Sequence, residues 1–266
     1  NLDNPDYVFE TTQTSREAFD NSIAEFSTMM NNKAKEIGCT NTNFVNPNGI
    51  YNDNHYSTAY DLALIGKYAY ENAIIKSIGS KASYNLPKNE NHPTYTSTNA
   101  LLRNTHRYYY EYANGLKTGY TDAAGYCIIA TASKDGIDLI CVILKGSYLA
   151  DGTATRETDC INLFNYGFDN YKSVNLVSEG DVVRTIDVLN GTEDTKKLDV
   201  TAVTTLNCVV FTDEVVDVTP VIQFNSVLAP IAEGQVIGSI TYTVDGVDYK
   251  SDLIATHDVY SSNVMN

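Results

Sequence analysis

The chain has 266 residues, of which 43% are hydrophobic and 19% charged, so it is a globular chain long enough for one large or two ordinary domains. Its formal net charge of -15 argues against nucleic acid and anionic membrane surfaces as partners, and we interpret that charge as favouring solubility. No apolar run approaches the ~20 residues that a membrane-spanning helix needs.

The first predicted element is an amphipathic helix over residues 15–37. Thr14 and Glu17 form a capping-box pattern at its start, and Met29 and Met30 are expected to fill the core. Apolar residues recur at helical spacing along it, at Phe19, Ile23, Phe26, Met30, Ala34 and Ile37. We therefore expect this face to be buried.

A second helix is predicted over 57–71, where Thr58 and Asp61 offer a further capping pair. Residues 41–54 are rich in asparagine and are expected to form a loop. The polar segment 81–106 is expected to be irregular. The N-terminal region is therefore predicted to contain two helices separated by a loop.

The triplet Lys117-Thr118-Gly119 is followed by two apolar, β-branched runs, 127–132 and 137–144, which a Gly-containing turn joins. Their length and composition predict a β-hairpin. A helix is then predicted over 154–166, with Ile161, Leu163 and Phe164 on its apolar side. The triplet is therefore expected to begin a strand at the edge of a sheet.

From about residue 173 the character of the sequence changes to short Val/Thr/Ile-rich runs separated by turn signals. The predicted strands cover 182–189, 198–203, 208–211, 219–224, 236–244 and 247–254. Asp245-Gly246 fits a two-residue hairpin turn between the last two. We expect two domains, 1–172 with helices and an antiparallel sheet and 173–266 with strands alone.

The five cysteines are scattered and form no Cys-x-x-Cys pair, so they predict buried thiols and neither a disulfide framework nor a zinc site. The four histidines are also scattered. We expect no metal and no cofactor.

Lys117-Thr118-Gly119 carries the candidate chemistry of the chain. On an edge strand, backbone groups could pair with an extended peptide, and Lys117 would stabilise a carboxylate or a developing oxyanion. Thr118 and Thr121 offer hydroxyls to a substrate carboxylate, Gly119 permits close approach, and the Tyr120 backbone N–H is a candidate oxyanion donor. A lone triplet is a weak signal, since it also fits a solvated lysine in a turn.

Several further segments occur in an order that resembles one family. They are 46–49 (NPNG), 55–63 (HYSTAYDLA), 99–102 (NALL), 115–121 (GLKTGYT) and 155–157 (TRE). Together they resemble the serine-type D-alanyl-D-alanine carboxypeptidases of the penicillin-binding protein 5 group, peptidase family S11. The resemblance covers nearly the whole chain. It implies part of a serine β-lactamase/transpeptidase-like α/β domain, followed by a small all-β C-terminal domain.

This resemblance implies acyl transfer by a serine, in which the Ser of Ser-x-x-Lys attacks a peptidoglycan stem peptide ending in D-Ala-D-Ala. β-Lactams would trap the acyl-enzyme. Lys117 would supply positive charge on the oxyanion side of the site, and the Tyr120 backbone N–H would donate to the oxyanion. Thr118, Gly119 and Thr121 would bind the substrate. Arg156 would support the carboxylate pocket. The family also implies a bacterial, extracytoplasmic location, with membrane association of the full-length protein.

The nucleophile motif is absent from this chain, because no lysine has a serine three residues before it. Ser-x-Asn occurs at Ser97, Ser173 and Ser261, which we interpret as accidental, and it also occurs at Ser83-Tyr84-Asn85. We expect residue 1 to follow the family's second motif and 1–14 to be a surface insertion. A companion N-terminal fragment would then carry Ser-x-x-Lys and Ser-x-Asn.

Two other functions remain open at this stage. The chain could be a catalytically inactive relative that binds peptidoglycan or partner proteins. Alternatively, it could be a structural protein in which only the β domain matters.

Overall fold

The computed structural model of the chain describes residues 13–86, 94–225 and 227–262, and the side chains from residue 16 onward. Its helices are α1 (Gln13–Glu36), α2 (Ala59–Tyr70), α3 (Ala73–Gly79) and α4 (Thr155–Asn170), with a short 3₁₀ helix at Ala100–Leu102. Its strands are β1 (Ser83–Asn85), β2 (Thr94–Thr96), β3 (Ala113–Thr121), β4 (Gly125–Lys134), β5 (Ile137–Gly146), β6 (Tyr171–Val177), β7 (Val182–Asp187), β8 (Lys197–Ala202), β9 (Leu206–Phe211), β10 (Val221–Phe224), β11 (Val236–Val244) and β12 (Val247–Ala255).

The chain divides into two units. The first consists of Asn1–Lys134 with Asp138–Gly167, and the second of Asp135–Ile137 with Phe168–Asn266. Helices and an antiparallel sheet make up the described part of the first unit. In the second unit, the described elements that follow the end of α4 are all strands. The predicted fold class, an α/β part followed by an all-β part, is confirmed.

The sheet of the first unit has the order β3-β4-β5, so β4 lies in the middle. Ile128, Ala130 and Ala132 on β4 are at most 2% exposed, and their spacing of two residues puts them on one face. β4 and β5 are hydrogen-bonded neighbours joined by two residues, which confirms the predicted hairpin after the Lys-Thr-Gly triplet. The core of this unit therefore lies against the strand that pairs with β3.

Helix α2 begins where its capping residue predicts. Thr58 is the N-cap, and its Oγ1 accepts a hydrogen bond from the backbone N–H of Asp61 at 3.1 Å. The Asp61 carboxylate in turn accepts hydrogen bonds from the Thr42 hydroxyl at 2.6 Å and from the Asn41 N–H at 2.8 Å. These contacts tie the loop before α2 to the first turn of the helix.

Asp61 predicts an acid-sensitive contribution to stability. Its pKa lies below the ordinary value because the Thr42 hydroxyl and backbone N–H groups stabilise the carboxylate. The contribution is therefore complete above the unfolded pKa of about 3.9 and is lost as pH falls through the lower folded pKa. We expect Asp61→Asn to be less stable than the wild type at pH 7, with the difference shrinking below about pH 4.

Urea denaturation of both proteins from pH 7 to pH 3 measures this effect. Asp20→Asn, which removes an exposed carboxylate on α1, controls for the change in net charge. A difference between wild type and Asp61→Asn that does not depend on pH would contradict the assignment.

The apolar stripe of α1 is less buried than its periodicity predicts. Phe19 is 58% exposed, Phe26 50% and Met29 60%, so the expectation that Met29 fills the core is wrong. Ala34 is buried near the end of the helix. A helical period identifies an apolar face, but it does not identify the element that covers that face. The Thr14 capping pattern and residues 1–12 lie outside the described side chains.

Three further expectations need correction. The segment 81–106 is not wholly irregular, since it contains β1, β2 and the 3₁₀ helix. Both strands are three residues long and exposed, so the sequence has no alternation of buried and exposed residues that would predict them. The short helix α3 was not predicted; it has no buried residue, and the Asn72 side chain caps it. Strand β6, which pairs with β9, was likewise not predicted.

In the second unit a five-stranded antiparallel sheet has the order β10-β11-β12-β8-β7, and β6 pairs separately with β9. Its core residues include Leu198, Val200, Ile237, Ile240 and Leu253, all at most 1% exposed. β11 and β12 form the predicted hairpin, with Val244 opposite Val247. Asp245 and Gly246 have φ of 51° and 78°, which is the left-handed conformation that a two-residue hairpin turn requires.

All five cysteines are free thiols. Four are buried, which confirms the prediction for Cys39, Cys141, Cys160 and Cys208, whereas Cys127 is partly exposed.

Candidate active site

The predicted site lies on β3, at the edge of the sheet. β3 pairs antiparallel with β4, so that Lys117 lies opposite Ile129 and Tyr120 opposite Tyr126. Among the described residues, no strand pairs with the other edge of β3. An extended peptide could therefore add to this edge through backbone hydrogen bonds.

The side chains of Lys117 and Thr118 have different environments. Lys117 is exposed, and its Nζ donates a hydrogen bond to the Thr118 carbonyl. Thr118 is 7% exposed, and its hydroxyl is hydrogen-bonded to the hydroxyl of Thr98. A Cβ added at Gly119 would meet no atom within 4 Å, so the surface beside this residue is open. The triplet thus combines an accessible cation, a fixed hydroxyl and open space.

A buried asparagine holds the adjoining segment against β3. Asn99 is 1% exposed; its Nδ2 donates to the Gly115 carbonyl at 2.9 Å, and its Oδ1 accepts from the Leu101 N–H at 3.1 Å. Ser97 accepts a hydrogen bond from the Asn99 N–H through its Oγ at 3.2 Å. This Ser-x-Asn sequence therefore has a local structural role, in which Asn99 positions Thr98 beside Thr118.

Arg156, in the first turn of α4, reaches the site from a different element. Its side chain is 11% exposed, and its Nε donates to Glu157 Oε1 at 2.9 Å. Its guanidinium carbon lies 5.6 Å from the centre of the Tyr126 ring. A Cβ on Gly146 would lie 3.0 Å from the Arg156 Cβ and 2.9 Å from the Tyr126 carbonyl, so the close approach of α4 to the sheet needs glycine there.

The turn after β3 is fixed by its own side chains. Thr121 Oγ1 accepts a hydrogen bond from the Ala124 N–H at 3.1 Å. Tyr120 donates its hydroxyl to Asp122 at 2.8 Å, and this bond raises the pKa of the phenol. The Tyr120 ring lies 4.5 Å from the Tyr126 ring. These contacts hold Tyr120 and Thr121 at the mouth of the site.

The structure brings all the sequence-predicted site residues to one cleft of about 820 Å³. The residues concerned are Lys117, Thr118, Gly119, Tyr120, Thr121 and Arg156. The loop before α2 also lines the cleft, through residues that include Asn46, Ile50 and Tyr51. Asn46 and Arg156, which are 110 positions apart in the sequence, thus share one surface.

Sequence reasoning missed three residues that shape this cleft. Thr98 contacts Thr118, Glu157 binds Arg156, and Tyr126 packs against both Tyr120 and Arg156. Glu157 lies in the segment 155–157 that resembles the family, but its contact with Arg156 depends on the burial of both side chains, which cannot be read from the sequence. No periodic or motif signal singled out Thr98 or Tyr126.

An edge strand that carries Lys-Thr-Gly and pairs antiparallel with a second strand is typical of the penicillin-binding serine enzymes. The family model described as D-alanyl-D-alanine carboxypeptidase matches residues 17–147, and the model described as penicillin-binding protein 5, C-terminal domain, matches 171–262. The chain belongs to the peptidase S11 family of D-alanyl-D-alanine carboxypeptidases.

Two curated relatives illustrate the similarity. The chain is 31% identical over 229 residues to the D-alanyl-D-alanine carboxypeptidase DacF of Bacillus subtilis, covering 85% of this chain and 56% of DacF. It is 28% identical over 222 residues to DacA of Escherichia coli K12, covering 83% of this chain and 52% of DacA. The chain therefore spans little more than half the length of these relatives.

Two solved structures have similar folds. Penicillin-binding protein 5 of Haemophilus influenzae matches with a TM-score of 0.56 and 27% identity, over 90% of this chain and 67% of that one. A peptidoglycan synthesis regulatory factor (PBP3) of Streptococcus pneumoniae matches with a TM-score of 0.74 and 23% identity, over 91% and 72%. At 23% identity the second likeness concerns the fold alone.

Among the described residues, no group of three or more His, Cys, Asp or Glu side chains is arranged to hold a metal ion. None of the described helices is both long and apolar enough to cross a membrane.

Proposed function

We propose that this chain supplies the peptide-binding half of a D-Ala-D-Ala carboxypeptidase site that acts on peptidoglycan stem peptides. The observation that carries the proposal is the common cleft, in which the accessible edge of β3 lies beside Lys117, Thr118 and Arg156. A stem peptide ending in D-Ala-D-Ala would extend β3 by backbone hydrogen bonds.

Each residue has a distinct role in this proposal. Lys117 places a positive charge beside the scissile carbonyl, and the Tyr120 backbone N–H donates to the oxyanion. Thr118 and Thr121 donate hydroxyl hydrogen bonds to the C-terminal carboxylate. Arg156 supports that pocket, held in place by Glu157. Gly119 leaves room for the peptide backbone.

A companion segment with Ser-x-x-Lys and Ser-x-Asn would supply the nucleophile, because no lysine of this chain has a serine three residues before it. Exposed apolar side chains support the proposal of a companion that packs against this chain. Those at least 50% exposed include Phe19, Phe26 and Met29 on α1 and Ile74 and Ile78 on α3. Exposed apolar surface of this extent is a common mark of an interaction site.

The remaining assignments follow from the family. We propose the domain boundary near residue 172, and an extracytoplasmic, bacterial cell-envelope location with membrane association of the full-length protein. The all-β region from 173 to 266 would be the penicillin-binding protein 5 type C-terminal domain.

A fluorescent penicillin tests the proposal. We expect no covalent labelling of this chain by itself, because a stable acyl-enzyme needs the absent nucleophile. A companion polypeptide that carries Ser-x-x-Lys should be labelled when it is present with the chain. Intact mass spectrometry measures both outcomes.

Covalent addition of the penicillin to the 266-residue chain alone would contradict the absence of a nucleophile. A native preparation that contains this chain as a single species, with no companion, would argue against the two-piece enzyme. Peptide binding without labelling of any companion would favour the second candidate, a catalytically inactive peptidoglycan-binding relative.

A further inference from the structure

Two cysteines of the first unit face each other where α4 packs on β5. Cys141 lies on β5 and Cys160 on α4, and their sulfur atoms are 3.5 Å apart. Both side chains are buried, and both are free thiols in this structure. Two thiols from different elements are thus in direct contact inside the core.

The helix and the strand are in close contact on both sides of this pair. Near the start of α4, a Cβ added at Gly146 would lie 3.0 Å from the Arg156 Cβ. Near its end, a Cβ added at Gly167 would lie 2.5 Å from a methyl carbon of Leu139. Contacts on either side therefore hold the backbones that carry the two cysteines, so the approach of the sulfur atoms does not depend on a single flexible side chain.

The distance between the sulfur atoms suits the formation of a covalent bond. A disulfide has a sulfur–sulfur distance of about 2.05 Å, so each sulfur would move by roughly 0.7 Å. A movement of this size corresponds to a small rotation about each Cα–Cβ bond. The extracytoplasmic location proposed above is one in which disulfides form and persist.

We propose that Cys141 and Cys160 form an intrachain disulfide, which cross-links α4 to β5 and fastens the helical turn that carries Arg156. Arg156 precedes Cys160 by four residues, so the two lie one turn apart on the same side of the helix. The cross-link would oppose movement of Arg156 away from the cleft. It concerns the fold of the first unit and goes beyond the proposed function, since no step of acyl transfer enters it.

The oxidant in this proposal is a small disulfide of the glutathione type. The thiolate of one cysteine attacks a sulfur of the oxidant, forms a mixed disulfide and releases one glutathione thiol. The thiolate of the other cysteine then attacks the protein sulfur of the mixed disulfide and releases the second glutathione. The two protein thiols thus lose two protons and two electrons, which reduce the oxidant to two thiols. Because both cysteines are buried, the first attack takes place when α4 opens from β5 or before it packs there.

Peptide mapping by mass spectrometry tests the proposal. The full chain is incubated with oxidised glutathione, one sample after folding and another during refolding from urea, and the free thiols are then alkylated. Trypsin places the two cysteines in separate peptides, 135–145 and 157–172, each with one cysteine. We expect these peptides as a linked pair that a reductant separates. Absence of the linked pair from both samples would overturn the proposal, as would a preferred link of either cysteine to another thiol of the chain.

The thermal midpoint of unfolding shows whether the cross-link fastens α4. A cross-link that closes a loop of about 20 residues is expected to raise the midpoint of the oxidised chain by roughly 5–10 °C above that of the reduced chain. A linked chain that unfolds at the same temperature as the reduced chain would overturn the fastening of α4.

Two variants separate this pair from the other cysteines. Cys160→Ala should abolish both the linked peptides and the dependence of the midpoint on oxidation. Cys208→Ala makes the same chemical change at another buried cysteine, on β9, and should retain both effects. A midpoint that still rises on oxidation of Cys160→Ala would assign the effect to other thiols and overturn the proposal.

The peptide map of the wild type needs no variant, so the test does not depend on the folding of Cys160→Ala. Failure of the cross-link would leave the proposed function standing, because peptide binding and penicillin labelling are measured separately.

Discussion

Replacing Lys117 by methionine is expected to weaken binding of a peptide ending in D-Ala-D-Ala by about 10- to 100-fold. The methionine keeps an unbranched chain of similar length but removes the ammonium group. Lys117 Nζ lies at the accessible edge of β3, where it donates to the Thr118 carbonyl and faces the cleft. Calorimetric titration of the peptide into wild type and variant measures the change.

Lys250→Met is the matched control for this prediction. It makes the same substitution at an exposed lysine on β12, far along the sequence from the cleft residues. We expect its peptide affinity to equal that of the wild type. If Lys117→Met also bound the peptide with wild-type affinity, Lys117 would have no part in peptide binding. That result would contradict the proposed role of its positive charge.

Replacing Phe164 by alanine is expected to lower the free energy of unfolding by about 3–5 kcal/mol. Phe164 on α4 is 1% exposed, and its ring stacks on Tyr110 with the ring centres 5.7 Å apart. Truncation removes the buried apolar surface and leaves a cavity that close-packed neighbours fill only partly. Urea denaturation followed by far-UV circular dichroism measures the loss.

The adjacent residue provides a stringent control. Leu163 is 51% exposed, so Leu163→Ala should change the free energy of unfolding by no more than about 0.5 kcal/mol. Equal destabilisation by the two substitutions would contradict the orientation of α4. Because the two positions are neighbours in sequence, helix propensity contributes nearly the same small amount to both.

This pair also marks the limit of what the sequence could predict. Periodicity placed Ile161, Leu163 and Phe164 on one apolar side of a helix, and the helix exists, but Leu163 is exposed. An apolar residue at the margin of a helical face can point either way. The same limit explains the exposed stripe of α1, where Phe26 and Met29 follow the helical spacing without being buried.

Elements with strong local signals were predicted well. The capping residue Thr58, the hairpin of β4 and β5, and the turn at Asp245-Gly246 all depend on contacts between residues close in sequence. Short or exposed elements were missed, because β1, β2 and α3 bury no side chain and so produce no pattern of burial.

The sequence by itself determined the Lys-Thr-Gly strand and the two classes of structure, since motif identity, turn chemistry and periodicity are local properties of a chain. Only the tertiary structure decided that Thr98 meets Thr118 and that Glu157 neutralises Arg156. The first contact joins residues distant in the sequence, and burial, which determines the strength of both, exists only once the elements have packed together.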